Sequence, residues 1–154
     1  MVEKKQMPLL VVEDSDEDFE VLQLLMEEMN VSQPIHRCKT GDNVLDLLYD
    51  KTAAAEDPPI RPAVILLDLN LPGTDGREVL EQLKQDESFS TNPIIVFTTS
   101  EDPKDIKFCY QKGANGYFIK PVSPEKLERH VHAFVSYWLQ VNTLPEWDEV
   151  NLIP

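Results

Sequence analysis

ILLDLNLPGTDG, residues 65–76, decides the fold. Three apolar residues run into Asp68, and a turn rich in glycine and proline follows before Glu78 and the helical pattern REVLEQLKQ. A short apolar run bounded by turn residues reads as a strand buried on both faces, and the segment after it reads as a helix. Runs of the same kind occur at Leu9 to Val12, Ile35 to Cys38, Val64 to Leu67, Ile94 to Phe97 and Gly116 to Ile119, with helical patterns between them. This alternation predicts an α/β domain, a single doubly wound five-stranded parallel sheet with helices on both faces.

Helix starts are marked by Asp16, Asp75 three residues before Glu78, Asp102 before Pro103 and Ser123 before Pro124. Each offers a capping oxygen, and two are followed by proline at the first helical position. None of the 12 prolines falls inside a proposed helix or a central strand. Lys51 to Pro62, KTAAAEDPPIRP, reads as an exposed connection into the third strand. The last helix is predicted from Pro124 to about Val141, with Leu127, Val131, Phe134, Val135, Trp138 and Val141 along its sheet-facing stripe. The division that follows is a domain over 1–141 and a tail over 142–154, whose Leu144, Trp147, Val150, Leu152 and Ile153 predict docking on the domain or on a partner copy.

The chain has 154 residues, room for one domain, and its 28 acidic against 14 basic residues give a formal charge of -14. That charge repels nucleic acid and anionic lipid, so direct DNA binding is not expected. The apolar run near the N-terminus is cut by Glu13, so no signal-peptide core forms, and no stretch has the roughly 20 apolar residues of a membrane span. A cytoplasmic location is expected. Cys38 and Cys109 lack CxxC spacing and read as reduced, buried thiols, and His36, His130 and His132 share no evident site.

In an open parallel sheet, ligands gather beyond the carboxyl ends of the strands. That rule brings together Glu13 and Asp14, Asp68, Thr98 and Lys120. Three carboxylates held close repel one another unless a cation or proton is bound among them, and a divalent metal fits best. Helix capping alone explains Asp16 and Asp18, yet it gives no reason for a lysine and a threonine to end two other strands facing Asp68.

VVEDSDED, ILLDLNLPGTDG, IIVFTTS and GYFIKPVSPEKL, in this order, resemble the signature segments of the response-regulator receiver domain, the CheY-like fold, from Pro8 to about Val141. The resemblance implies a flavodoxin-like strand order, 2-1-3-4-5. It implies that Asp68 accepts a phosphoryl group from a sensor histidine kinase, with Mg2+ held by Asp14, Asp68 and the main-chain carbonyl of Asn70, and Glu13 acting through metal-bound water. Lys120 and Thr98 would bind phosphoryl oxygens, Tyr117 would follow Thr98, and Lys120–Pro121 would be a cis peptide. Thr99, where many receivers carry a smaller residue, would narrow access to the phosphate. Such a protein is a signalling phosphoacceptor that at most catalyses its own phosphorylation and dephosphorylation.

The long connection, the DLNLPG and REVL segments and the tail resemble more narrowly the cyanobacterial phytochrome-associated regulators of the Rcp type. That likeness implies a phytochrome kinase and a homodimer through helix four, strand five and helix five, with Phe134, Tyr137 and Trp138 as interface candidates. Two rivals are weaker. A haloacid dehalogenase-type phosphatase needs a second aspartate where Asn70 stands, and an FMN carrier needs a phosphate-cradling loop where EDSDED stands. A receiver fold that docks or dimerises without phosphorylation is the remaining alternative.

Overall fold

The computed structural model describes residues 7–49 and 60–146. Five strands, β1 (Leu9–Val12), β2 (Ile35–Cys38), β3 (Val64–Leu67), β4 (Ile94–Thr98) and β5 (Gly116–Ile119), alternate with helices α1 (Asp16–Glu28), α2 (Gly41–Leu48), α3 (Gly76–Gln85), α4 (Pro103–Gln111) and α5 (Pro124–Phe134). The strands form one parallel sheet in the order β2-β1-β3-β4-β5, as expected. Every residue of β1, β3 and β4 is buried, which is why these strands read as continuous apolar runs. The edge strands β2 and β5 are half-exposed.

Side-chain alternation sorts the core into two layers. Leu10, Val12, Ile65, Leu67, Ile94 and Val96 pack with Val44, Val79, Leu80 and Leu83 from α2 and α3 on one face. Leu9, Val11, Val64, Leu66, Ile95 and Phe97 pack with Leu22, Met26, Val131 and Phe134 from α1 and α5 on the other. Truncating one of these, Ile95→Ala for instance, costs about 2–5 kcal/mol.

The cap of α1 is Ser15, whose extended backbone lets its hydroxyl accept from the Asp18 N–H at 3.2 Å. Asp16 is therefore the first helical residue, and its carboxylate pairs with Arg37 at 2.8 Å and Lys39 at 3.3 Å. Asp75, Asp102 and Ser123 cap α3, α4 and α5 as predicted. The Asp75 carboxylate, however, accepts from the Arg77 N–H at 2.8 Å, one residue short of the capping-box position.

Beyond α5 the chain keeps its helical path through Val135–Val141 but with the wider π turn. That change of pitch takes Val141 off the predicted stripe, leaving it exposed, while Val131, Phe134 and Val135 stay buried. Leu144 packs on the second core layer, whereas Trp147, Val150, Leu152 and Ile153 lie outside the described residues, as does the connection up to Pro59. Among the described residues no peptide is cis, so the Lys120–Pro121 bond is trans, the isomer that an X–Pro amide favours by about 0.5–1 kcal/mol. Cys38 and Cys109 are free and buried, and burial raises each thiol to about 11. His36 and His132 are exposed on different elements, and the His130 ring lies 5.9 Å from that of Phe118, so the three histidines do not meet.

Candidate functional site

The parallel ladder ends at one edge, and its last hydrogen bonds aim the reactive residues at a common point. Glu13 N–H donates to Cys38 O at 3.0 Å, Asp68 N–H to Val12 O at 3.1 Å and Lys120 N–H to Thr98 O at 2.7 Å. Arg37 stiffens the β1 end by donating from Nε to Glu13 O at 3.1 Å while its guanidinium lies 4.6 Å over the Phe19 ring. After β3 the chain doubles back at Gly76, whose N–H donates to Leu69 O at 2.9 Å. A Cβ there would meet the Leu69 Cα at 2.6 Å, so only glycine allows so close a return.

At this edge one ammonium faces three carboxylates. Lys120 Nζ lies 2.5 Å from Glu13 Oε1, 3.0 Å from Asp18 Oδ2 and 3.0 Å from Asp68 Oδ2. Ligand oxygens of Glu13, Asp14 and Asp68 all lie within 4.8 Å of one another. Glu13 and Asp68 are buried, whereas Asp14 is exposed at the mouth. Asn70, two residues past Asp68, donates its N–H to Asp68 Oδ1 at 3.3 Å.

Charge and burial pull against each other here. Burial pushes the Glu13 carboxyl well above the usual carboxylate range, and its contact with the Asp68 carboxyl pushes the same way. For Lys120, burial favours the neutral amine, but the attraction of Glu13 and Asp68 outweighs it and holds the ammonium above its ordinary value. Partial burial of Asp18 is likewise outweighed by its hydrogen bond to Lys120, so that carboxyl sits low. Glu13 Oε2 is buried and has no hydrogen-bond donor. An orphaned carboxylate oxygen in an oxygen-only donor set with surplus negative charge fits a hard divalent cation that keeps several waters.

Thr98 is fully buried at the end of β4, its hydroxyl accepting from the Ser100 N–H at 3.4 Å, and Thr99 is exposed beside it. Tyr117, half-buried on β5, donates its hydroxyl to Ser100 O at 2.9 Å. A cleft of about 210 Å³ lined by Asp18, Val21, Thr99, Lys120, Val122 and Leu127 opens beside the carboxylates. The three aromatic interface candidates have different places. Phe134 is 3% exposed within the core, Trp138 is half-buried against it, and Tyr137 is 53% exposed.

Asp18 is the site residue that sequence reasoning left as a capping group. Its signal was its place one helical turn after Asp14, at the third helical position once Ser15 is the cap. Arg77 and Asp105 also went unread, although the Arg77 fork grips Asp105 with two bonds of 2.8 Å.

The family model of the response regulator receiver domain matches residues 9–132 of this chain. The chain belongs to the receiver-domain family. Relatives include the probable methanogenesis regulatory protein FilR2 of Methanothrix harundinacea, 34% identical over 89% of this chain and 86% of that one. Response regulator Rcp1 of Synechocystis is also 34% identical, over 89% of this chain and 92% of its own. The Mn(2+)-bound crystal structure of Rcp1 superposes with a TM-score of 0.84 at 33% identity, covering 91% of this chain and 99% of that one. The phosphorylated cyanobacterial phytochrome response regulator RcpA gives 0.84 at 31% identity, covering 92% and 100%.

This receiver is thus a two-component response regulator related to the phytochrome response regulators, a signalling protein and not a conventional enzyme. Receiver domains bind Mg2+ or Mn2+ at an acidic pocket, and this receiver has an acidic cluster of Glu13, Asp14 and Asp68. Among the described residues no helix is long and apolar enough to cross a membrane.

Proposed function

We propose that Asp68 accepts a phosphoryl group from a phosphohistidine of a sensor histidine kinase of the phytochrome type. An Asp68 oxygen attacks phosphorus, the P–N bond breaks as the P–O bond forms, and the leaving imidazole nitrogen takes up a proton. The observation that carries this reading is a buried carboxylate, 7% exposed, fixed between the Asn70 N–H and the Lys120 ammonium at the mouth of an acidic cluster.

Asp14, Asp68 and the Asn70 carbonyl would hold Mg2+, with Glu13 acting through metal-bound water. When bound, the ion supplies positive charge against the phosphoryl oxygens. Lys120 offers a second positive charge to those oxygens, and Thr98 offers its hydroxyl proton, which its bond from Ser100 N–H leaves free. The exposed Thr99 narrows the approach to the phosphate and slows transfer or hydrolysis. Related sensory contexts support the phytochrome assignment, since RcpA is described as a cyanobacterial phytochrome response regulator and RPA3017, 32% identical, as acting in red light signalling.

The protein acts in the cytoplasm, away from membrane and DNA, in keeping with its charge of -14. Its output runs through binding to another molecule, and it self-associates through α4, β5 and α5, where Tyr110 of α4 is 52% exposed and Tyr137, in the π turns that continue α5, presents its ring. The domain ends near residue 141, and just beyond it Leu144 packs back on the domain.

Acetyl phosphate with Mg2+ should add one phosphoryl mass to the wild type and none to Asp68→Asn. A conformational or assembly response that survives Asp68→Asn would instead favour docking without phosphorylation.

A further inference from the structure

Ser100 stands two residues past Thr98 and is held from four directions. Its N–H donates to the Thr98 hydroxyl, its carbonyl accepts from Tyr117, and its own hydroxyl donates to Asp105 Oδ2 at 2.6 Å while accepting from the Asp102 N–H at 3.3 Å. Asp105, in the first turn of α4, is gripped by Arg77 through paired bonds, Nε to Oδ1 and Nη2 to Oδ2, both 2.8 Å. Arg77 is itself anchored by Asp75 at 3.1 Å, at the start of the helix that follows the Asp68 loop. The chain Asp75–Arg77–Asp105–Ser100 therefore runs from the end of the β3–α3 loop to both Thr98 and Tyr117.

Every bond in this chain is made between the protein's own groups. A paired guanidinium–carboxylate fork is among the stronger and more directional polar contacts, and here both partners are partly exposed, at 28% for Arg77 and 20% for Asp105. Groups tied in this way settle in one arrangement, because freeing the loop strands Asp105 and the Ser100 hydroxyl together.

We propose that Arg77, Asp105 and Ser100 are positioning residues that set the β4–α4 loop, Thr98 and Tyr117 in one arrangement before any phosphoryl group arrives. The face made by α4 and β5 is then presented by the unmodified protein, and the phosphoryl group meets a preordered Thr98. The consequence for phosphoryl binding rests on the proposed role of Asp68; the ordering of the loop does not.

Amide hydrogen exchange over residues 99–106 tests the ordering, and the affinity for beryllofluoride in Mg2+ tests its consequence. In the wild type, exchange there should change less than about twofold when beryllofluoride binds. Arg77→Met and the milder Ser100→Ala should each speed exchange by about 3- to 10-fold, and beryllofluoride should slow it again. Both variants should bind beryllofluoride about 2- to 5-fold more weakly, because the loop must then be ordered at the moment of binding. Arg77→Lys, which keeps the charge but not the fork, should restore these values only in part.

Unchanged exchange in both Arg77→Met and Ser100→Ala overturns the proposal. A wild-type loop that slows more than about tenfold on binding overturns it as well. A wild type that binds no beryllofluoride overturns the phosphoryl role of Asp68 and the network's effect on it. That failure is recognisable because the exchange contrast between wild type and Arg77→Met persists.

Discussion

Two lysines mark the two edges of the sheet, and each directs its ammonium at three oxygen acceptors. At the carboxyl edge Lys120 meets the carboxylates of Glu13, Asp18 and Asp68. At the amino edge Lys84, near the end of α3, donates to Ser90 O at 3.2 Å, Asn92 O at 2.8 Å and Asn115 Oδ1 at 2.9 Å. The second set is uncharged, so burial prevails and pulls the Lys84 amine down to about 8. Whole charges surround Lys120, so attraction prevails and its ammonium is held up. One edge is a closed clip between β4 and β5; the other keeps surplus negative charge and a buried oxygen without a donor. Local stability was completed at the first and left open to a ligand at the second.

The contrast is broken most directly by Lys120→Met. Removing the ammonium leaves buried Glu13 and Asp68 uncompensated and should cost about 3–5 kcal/mol in urea unfolding without metal, with Mg2+ recovering part of the loss. A neutral outcome would mean that the carboxylates are already protonated there. Lys84→Met should cost about 1–3 kcal/mol through its stranded carbonyls and leave phosphorylation by acetyl phosphate unchanged. A slowed reaction would show that the amino edge is coupled to the site.

Mg2+ sharpens the comparison from the ligand side. At ten times its dissociation constant it should stabilise wild type and Lys84→Met alike by about 1.4 kcal/mol in thermal or urea unfolding, and Asp14→Asn should lose most of that gain. The smallest effect lies at Asp105, in the first turn of α4 just past the carboxyl end of β4. The Arg77 fork, and then the Ser100 hydroxyl, hold its carboxyl at about 2 against an ordinary 3.8. A depressed carboxyl contributes stability that is complete above about pH 4 and is lost as the pH falls toward 2. Wild type should therefore lose more stability than Asp105→Asn across that window, as read by urea midpoints.

The unequal legibility of these regions has a physical origin. Strands β1, β3 and β4 are buried on both faces, so selection for apolar side chains is continuous and their bounds could be read nearly to the residue. The convergence of Glu13, Asp14, Asp68, Thr98 and Lys120 followed from the rule that parallel strands end at one edge. Asp18 looked like one more acid in a helix start, and only the packing of α1 against α5 on that face of the sheet brings it to Lys120. Nothing local marks Arg77 and Asp105 as a pair, since 28 residues of chain separate them. The switch to a π turn after Phe134 has no residue signature either, which is why Val141 was placed on the wrong side.

Sequence alone determined the alternating fold and the residues that end its strands, because burial periodicity and strand direction are local properties of the chain. Tertiary structure decided which acids share the ammonium of Lys120, which aromatic rings stay outside, and how Ser100 is tied to Arg77. Those outcomes depend on distances between elements far apart in the chain, and a pairwise interaction exists only once packing has brought both partners to the same place.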